Sequence, residues 1–486
     1  MKELGQHVIA ALGWDRHLGW AGTREAIDRA LALGVGGFIL RGGPRDEVVQ
    51  LARALHAHSP HAMLIAADVE RGVGEHFDGA VVLPPAAALA ALGDADVVRR
   101  AARLTARDAR SLGINWALGP VLDLDLDGTN PIVGTRGLGA DAVRVGALGA
   151  DWIDACQAEN VLACAKHFPG HGRATIDSHL ELPEIAADAG QLRATDLAPF
   201  CAAIDSGVAS IMTAHAAYPA LDASGRAATL SAPIIEMLRT ALGFTGLIVT
   251  DALDMHGVLA RQNEAEAAVR ALEAGADLLL APRNPVGVLH ALEEAVVAGR
   301  LNVERLAASR ARRDWWATWG RWTPDSRGLT LDERTWAKQV ADKVLRIERG
   351  RVPWLPPRAE VVIVDDDAAA RAPSPEPSPA PFVEALRSLG REVQLVDGAT
   401  PGGEGVLVIA VFADVLAGKG HVSITAPSRL TVKLAVQGAK TLKRDALVVL
   451  FGHPRLAAEL PDAPHVLCAW CGDKGMQEAA ARSLCS

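Results

Sequence analysis

The feature that most constrains this fold is a repeat. Eight short apolar runs recur along the chain: HVIAAL (7–12), GGFIL (36–40), AMLIAAD (62–68), INWALG (114–119), VLACAKH (161–167), SIMTAH (210–215), GLIVTD (246–251) and DLLLAP (277–282). Between most of them lie Ala- and Leu-rich segments with helical periodicity, such as TREAIDRALALG (23–34), DVVRRAARLTARDARSLG (96–113), AEAAVRALEAG (265–275) and VGVLHALEEAVVAG (286–299). Each of these segments closes on glycine, the usual helix-stop residue. Buried strands alternating with helices make a parallel sheet covered by helices. Eight such units in about 300 residues predict a (β/α)8 barrel. An open doubly wound sheet is the alternative, and eight units favour closure.

The predicted barrel domain is 1–304, followed by a helical connector and linker, 305–358, that carries RLAASRARRDWWATWGRW and ERTWAKQVADKVLRIERG and ends near RVPWLPPR. A second alternation then runs through AEVVIVDDD (359–367), FVEALRSLG (382–390), REVQLVDG (391–398), GVLVIAVFADV (405–415), ALVVLFGHP (446–454), HVLCAW (465–470) and MQEAAARSL (476–484). It predicts a smaller doubly wound α/β sandwich domain over 359–486. The PSPEPSPAP insert (373–381) is too rich in proline for helix or sheet and reads as a solvated loop. The second domain lacks a Gly-rich phosphate loop, so a structural or substrate-shaping role is expected of it.

Composition excludes several function classes. A net charge of -9, with Arg and Lys interspersed among Asp and Glu, gives no footprint for nucleic acid. No segment approaches the roughly 20 apolar residues of a membrane span, and the first residues do not read as a signal peptide. Six cysteines in 486 residues make no disulfide framework, so a cytoplasmic protein is expected. CAWC, Cys468 to Cys471, reads as two small buried side chains rather than a redox pair.

In a β/α barrel the chemistry sits where strands end. Run three ends in Asp68, followed by Glu70 and Arg71, and run four leads into Asp123, Asp125, Asp127, Asn130 and Arg136. Run five ends in Lys166 and His167, run six in His215, and run seven in Asp251. A purely structural barrel has no need of that convergence. Asp251, straight after buried aliphatics, is costly to bury as a charge unless paired, and is either a cap for the next helix or a nucleophile.

The loop after run five, AKHFPGHGRATIDSH (165–179), holds three histidines, a lysine, an arginine and an aspartate. It could be a tight turn with an N-cap pair. Alternatively, Asp177 can bond one imidazole nitrogen of His179 and fix its tautomer, leaving the other nitrogen to move a proton on a substrate. His167, His171, Asp177 and His179 also have the donor types of a metal site. Against that stand Lys166 beside any cation and the lack of an HExxH helix, so neither metal nor cofactor is expected.

These motifs resemble glycoside hydrolase family 3, specifically its bacterial β-N-acetylglucosaminidase branch. The resemblance is carried by KHFPGHG…DSH (166–179), NPIVGTRGLG (130–139), IMTAHAAYPALD (211–222), ATLSAPIIEMLRTALGFTGLIVTDALDMHGV (228–258) and ALEAGADLLLAP (271–282). It covers most of residues 5–345. The second region resembles, more weakly, the sandwich that follows the barrel in two-domain members, through VVLFGHPR (448–455).

The resemblance implies Asp251 as nucleophile and His179 as general acid/base, with Asp177 orienting it. It implies that Asp68, Arg136, Lys166 and His167 hold sugar hydroxyls and that His215 lines the site. The substrate would be a small carbohydrate, a β-GlcNAc glycoside from cell wall or chitin. In the β-glucosidase-like members the acid/base is a carboxylate supplied by the second domain. One stretch departs from the branch pattern. In DVERGVGEHF (68–77) Arg71 replaces a glycine, and Val73 to His76 lack the expected arginines. The competing expectations are another family 3 exo-β-glycosidase such as a β-glucosidase, a β-glycoside phosphorylase, or an inactive sugar-binding protein.

Overall fold

The computed structural model describes residues 2–324, 327–370, 378–397, 402–416 and 418–486. The chain forms two compact units. The first comprises Met1–Val81, Asp94–Asp127 and Gly137–Thr330, and the second Val82–Gly93, Gly128–Arg136 and Leu331–Ser486.

In the first unit every one of the eight apolar runs contains a strand. They are β1 (Val8–Gly13), β2 (Gly37–Arg41), β3 (Leu64–Ala67), β4 (Trp116–Ala117), β5 (Leu162–Phe168), β6 (Ser210–Thr213), β7 (Leu247–Thr250) and β8 (Leu279–Leu280). All pairings are parallel, and β1 lies between β2 and β8. A bridge between Val249 and Leu278 joins β7 to the residue ahead of β8 and completes the ring. The helices between the strands end as their sequences require. Gly34 and Gly275 close Arg24–Leu33 and Glu264–Ala274 at φ 73° and 119°, where a side chain would be strained.

The barrel interior is packed rather than hollow. Ile9, Ile39, Leu64, Trp116, Leu162, Met212, Leu247 and Val249 share one cluster. The indole of Trp116 is fully buried, so its N–H needs a partner, and it donates to Ser210 Oγ at 2.8 Å. One mouth is sealed by Val303–Trp319, the first part of the stretch expected to be a connector. Its buried Arg313 donates to the carbonyls of Gly36 and Ala62, just ahead of β2 and β3. The C-terminal mouth is left for chemistry.

The second unit is a six-stranded sheet in the order β11-β10-β12-β13-β14-β9. Its members are β9 (Arg346–Arg349), β10 (Arg358–Asp365), β11 (Glu392–Leu395), β12 (Leu407–Ala413), β13 (Ala446–Gly452) and β14 (His465–Cys468). Alternate residues of each central strand feed opposite faces. Val408, Ala410 and Phe412 pack with Phe382 and Leu484, while Leu407, Ile409 and Val411 pack with Val432 and Val436. That is the α/β sandwich expected. Two details correct the sequence reading. β9, taken as part of a helical connector, is an edge strand antiparallel to β14. Ala380 and Pro381, taken as loop, open the helix Ala380–Ser388, where a proline near the start costs no hydrogen bond. Residues 373–377 of that insert lie outside the described residues.

Candidate active site

The strand ends of the first unit carry a set of carboxylates, each met by nitrogen donors. Between Ala165 and Phe168 the register of β5 against β6 shifts, so Lys166 and His167 stand in an irregularity of the kind that re-aims side chains. Lys166, almost wholly buried, places Nζ 2.9 Å from Asp68 Oδ1 and 2.7 Å from Glu70 Oε1. Burial, the largest influence, and the neighbouring Glu70 push the Asp68 carboxyl up, but Lys166 and His76 together outweigh them and hold the group below the usual carboxylate range. Asp68 still exposes 39% of its side chain.

His167 Nδ1 lies 2.6 Å from Asp123 Oδ2, and Asp123 also accepts the backbone N–H groups of His167 and His171. The HFPGH turn therefore wraps a fully buried carboxylate. Gly172 is required beside it, since a Cβ there would lie 2.0 Å from the carbonyl oxygen of Leu124. His171 packs inside the same turn with Nε2 3.1 Å from Ser178 Oγ, and burial lowers its pKa to about 4, so its ring is neutral at neutral pH.

Asp177 is buried, and its Oδ1 accepts from both the N–H (2.8 Å) and the Nδ1–H (2.7 Å) of His179. His179 keeps 35% of its side chain exposed. The loop is docked onto the segment that follows β7. Gly257 N–H donates to Ser178 O at 3.1 Å, and His256 Nδ1 lies 3.2 Å from His179 O.

Asp251 stands at the end of β7. Its Oδ1 accepts from Ala252 N–H at 2.8 Å, while Oδ2 lies 3.9 Å from His167 Nε2. Burial raises this carboxyl, yet the imidazoles of His167, His215 and His179 and the Ala252 N–H together outweigh burial and hold it at about 2. Asp251 is therefore ionised at any physiological pH. A chain that surrounds one carboxylate with three imidazoles keeps it anionic and available.

Seven of the eight residues singled out from the sequence lie in this unit: Asp68, Lys166, His167, Asp177, His179, His215 and Asp251. Arg136 belongs to the second unit, where its guanidinium donates to Ile132 O at 2.8 Å. His215 does not present a free nitrogen to a sugar. It is fully buried, with Nδ1 2.9 Å from Thr229 Oγ1 and Nε2 3.0 Å from Ala252 O. Sequence reasoning placed Glu70 and Asp123 among the polar strand-end residues but gave them no role, and it did not single out Thr229. Glu70 adjoins Asp68 in the chain, but 44 residues separate Asp123 from His167, and no spacing rule joins them.

The four residues considered as a metal set engage different partners: His167 meets Asp123, His171 meets Ser178, and His179 meets Asp177. Among the described residues no group of three or more His, Cys, Asp or Glu side chains could hold a metal ion. Cys468 and Cys471 are buried thiols not joined in a disulfide, and burial pushes the Cys468 thiol up to about 12. No helix among the described residues is long and apolar enough to cross a membrane. A cavity of about 380 Å³ adjoins the docked loop, lined by residues including Leu180, Glu181, Glu184, His256 and Arg261, but neither Asp251 nor His179 lines it.

Comparison with known proteins places these residues in context. The family description "Glycosyl hydrolase family 3 N terminal domain" matches residues 21–313. A beta-N-acetylglucosaminidase/beta-glucosidase of Cellulomonas fimi is 36% identical over 262 residues, 52% of this chain and 46% of that protein. The chain thus spans less than half the length of that relative. A beta-hexosaminidase of Chromobacterium violaceum is 34% identical over 299 residues, 58% of this chain and 82% of that protein. The solved structure of a glycoside hydrolase family 3 beta-N-acetylglucosaminidase from Paenibacillus sp. strain FPU-7 superposes with a TM-score of 0.85 at 26% identity, covering 100% of this chain and 96% of that one.

Proposed function

The chain belongs to glycosyl hydrolase family 3, and from that premise we propose that it is a retaining exo-β-N-acetylglucosaminidase acting on GlcNAc glycosides derived from cell wall or chitin. The observation that carries the proposal is the Asp177–His179 pair, held by its own backbone against the segment that follows Asp251. A retaining hydrolase needs a nucleophile on one face of the sugar and a proton donor beside the leaving oxygen. An ionised Asp251 and a half-exposed imidazole backed by a buried carboxylate suit those two roles.

In the first step Asp251 Oδ2, the oxygen not bound to Ala252 N–H, attacks the anomeric carbon. The bond from that carbon to the aglycone oxygen breaks, and the Nε2 proton of His179 passes to the departing oxygen. A glycosyl ester forms on Asp251. In the second step water attacks the same carbon, His179 takes the water's proton, and the ester bond returns its electrons to Asp251. Asp177 stabilises the imidazolium in each protonated state without itself taking the proton. Asp68, ionised and partly exposed, accepts hydrogen bonds from hydroxyls of the terminal sugar, with Lys166 holding it in place. His167 completes the contacts to sugar hydroxyls.

The test compares wild type with Asp251→Ala and His179→Ala on aryl N-acetylglucosaminides of differing leaving-group acidity. Asp251→Ala should abolish turnover. His179→Ala should lose about 10²–10⁴-fold on poor leaving groups and little on activated ones, because only the former need a proton. Equal losses on both kinds of substrate contradict the acid/base assignment. A preference for glucosides over N-acetylglucosaminides contradicts the substrate.

A further inference from the structure

His215 sits just beyond β6 with its ring entirely buried. Because a carbonyl only accepts, the 3.0 Å contact between Nε2 and Ala252 O requires the proton on Nε2. Burial disfavours the charged ring, so Nδ1 is an acceptor, and Thr229 Oγ1 at 2.9 Å is its donor, closer than the carbonyls of Thr213 and Ala214, each 3.2 Å from the same hydroxyl. Thr229 Oγ1 lies in turn 2.9 Å from Thr213 Oγ1, which can supply it with a proton. The chain Thr213, Thr229, His215, Ala252 thus runs in one direction and satisfies both ring nitrogens.

Its end point is next to the nucleophile. Ala252 N–H donates to Asp251 Oδ1 at 2.8 Å, and Asp251 N–H donates to Thr213 O at 3.2 Å. The end of β6 therefore grips the Asp251–Ala252 pair twice, through Thr213 O on the first residue and through His215 on the second. We propose that His215 is a positioning residue: it fixes Ala252, whose N–H holds Oδ1 and leaves Oδ2 aimed at the anomeric carbon, and it makes no contact with the sugar. This rests on Asp251 being the nucleophile.

The loss to be expected is one of aim. A displacement of about 1 Å in a reacting group costs about 10²-fold in rate. His215→Leu, checked by circular dichroism for folding, should lower kcat by about 10²-fold with KM for an aryl N-acetylglucosaminide within about threefold of wild type. Its leaving-group dependence should match wild type, since His179 is intact. His215→Gln carries an amide N–H that can reach Ala252 O and should recover about tenfold of that loss. A raised KM at unchanged kcat, or full activity in His215→Leu, overturns the proposal. Should His215→Leu fail to fold, Thr229→Val against Thr229→Ser decides. Only the serine keeps the hydroxyl, so kcat should fall in the valine variant alone, and equal kcat in the two overturns the proposal. Asp251→Ala is run alongside. Turnover in that variant defeats the nucleophile assignment itself, whereas a dead Asp251→Ala with a fully active His215→Leu defeats only the positioning role.

Discussion

Lys166→Met keeps the length of the stem and deletes the charge. The ammonium, 2% exposed, is shared by Asp68 and Glu70 at 2.9 and 2.7 Å, so its loss leaves two carboxylates facing each other. Removing one partner of a buried pair costs about 3–5 kcal/mol. Glu70, 9% exposed, feels most of that, whereas water screens Asp68 at 39% exposure, so the lower figure of about 3 kcal/mol applies. For a unit of this size that lowers the melting temperature by roughly 5 °C. Adding Glu70→Gln to Lys166→Met removes one of the two facing carboxylates and should restore part of that loss. The pH profile should move as well. In the wild type the folded Asp68 carboxyl lies below its ordinary value, because Lys166 and His76 together outweigh burial and Glu70. Its charged form therefore contributes stability above the unfolded value, lost as pH falls through the folded one. Without Lys166, burial and Glu70 both push Asp68 up, and the acid limb of kcat/KM shifts to higher pH. Differential scanning calorimetry and a pH series on an aryl N-acetylglucosaminide measure both effects. An unchanged melting temperature, a further loss on adding Glu70→Gln, or an acid limb that moves down refutes the reasoning.

Three other outcomes follow from the geometry. Asp177→Ala removes a charge-assisted hydrogen bond of about 1.5–3 kcal/mol to His179, so kcat on poor leaving groups should fall by about 10–10²-fold while an activated substrate is nearly unaffected; equal falls on both would count against the pair acting as one unit. Adding inorganic phosphate should leave free N-acetylglucosamine as the product, and accumulation of the sugar 1-phosphate on a chromatogram would make the enzyme a phosphorylase instead. Thiol titration of the native protein should detect at most Cys201 and Cys485, the two partly exposed cysteines, because burial pushes Cys164 and Cys468 to about 12 and raises Cys156 as well. All six should react after denaturation.

The barrel was legible because a strand buried on both faces has to be an unbroken apolar run, and such runs stand out between amphipathic helices. β9 was not, and for the opposite reason. RIER, Arg346–Arg349, alternates charge with a single isoleucine, as an edge strand shielding its open side does, so nothing in it reads as sheet. The interruption of the first unit by Val82–Gly93 and Gly128–Arg136 was hidden too, since which unit a loop packs with is decided by contacts far away in the chain. In the site, Asp177 and His179 were readable together because only Ser178 lies between them on one turn. Asp123 and His167 were not, although their 2.6 Å contact is as short as any in the site, because they come from neighbouring strands. His215 was placed at its strand end without its partners: a sequence shows where an imidazole stands, and only packing shows that Thr229 and Ala252 engage both its nitrogens.

The crowding of β5 and its loop has a physical explanation in this pairing scheme. Lys166 meets Asp68 from β3, His167 meets Asp123 from beyond β4, and His179 meets Asp177 of its own loop. A single short segment thus supplies nitrogen partners to carboxylates arriving from three places. Carboxylates gathered at one strand-end face repel one another, and interspersed cations or imidazoles let them ionise together. With the others matched, His167 Nε2 is the nearest ring nitrogen to Asp251 Oδ2, and at 3.9 Å it lies beyond hydrogen-bond reach. That oxygen keeps its charge without surrendering its lone pair, which is what a nucleophile facing a developing oxocarbenium ion requires. The scheme also predicts coupling within pairs. A double-mutant cycle on Asp123 and His167 should show an interaction of about 0.5–3 kcal/mol, whereas Asp123 combined with Lys166, whose ammonium meets Asp68 and Glu70 instead, should approach additivity. Strong coupling between Asp123 and Lys166 would mean that the carboxylates act as one network and not as separate pairs, and the freedom of Asp251 would need another cause.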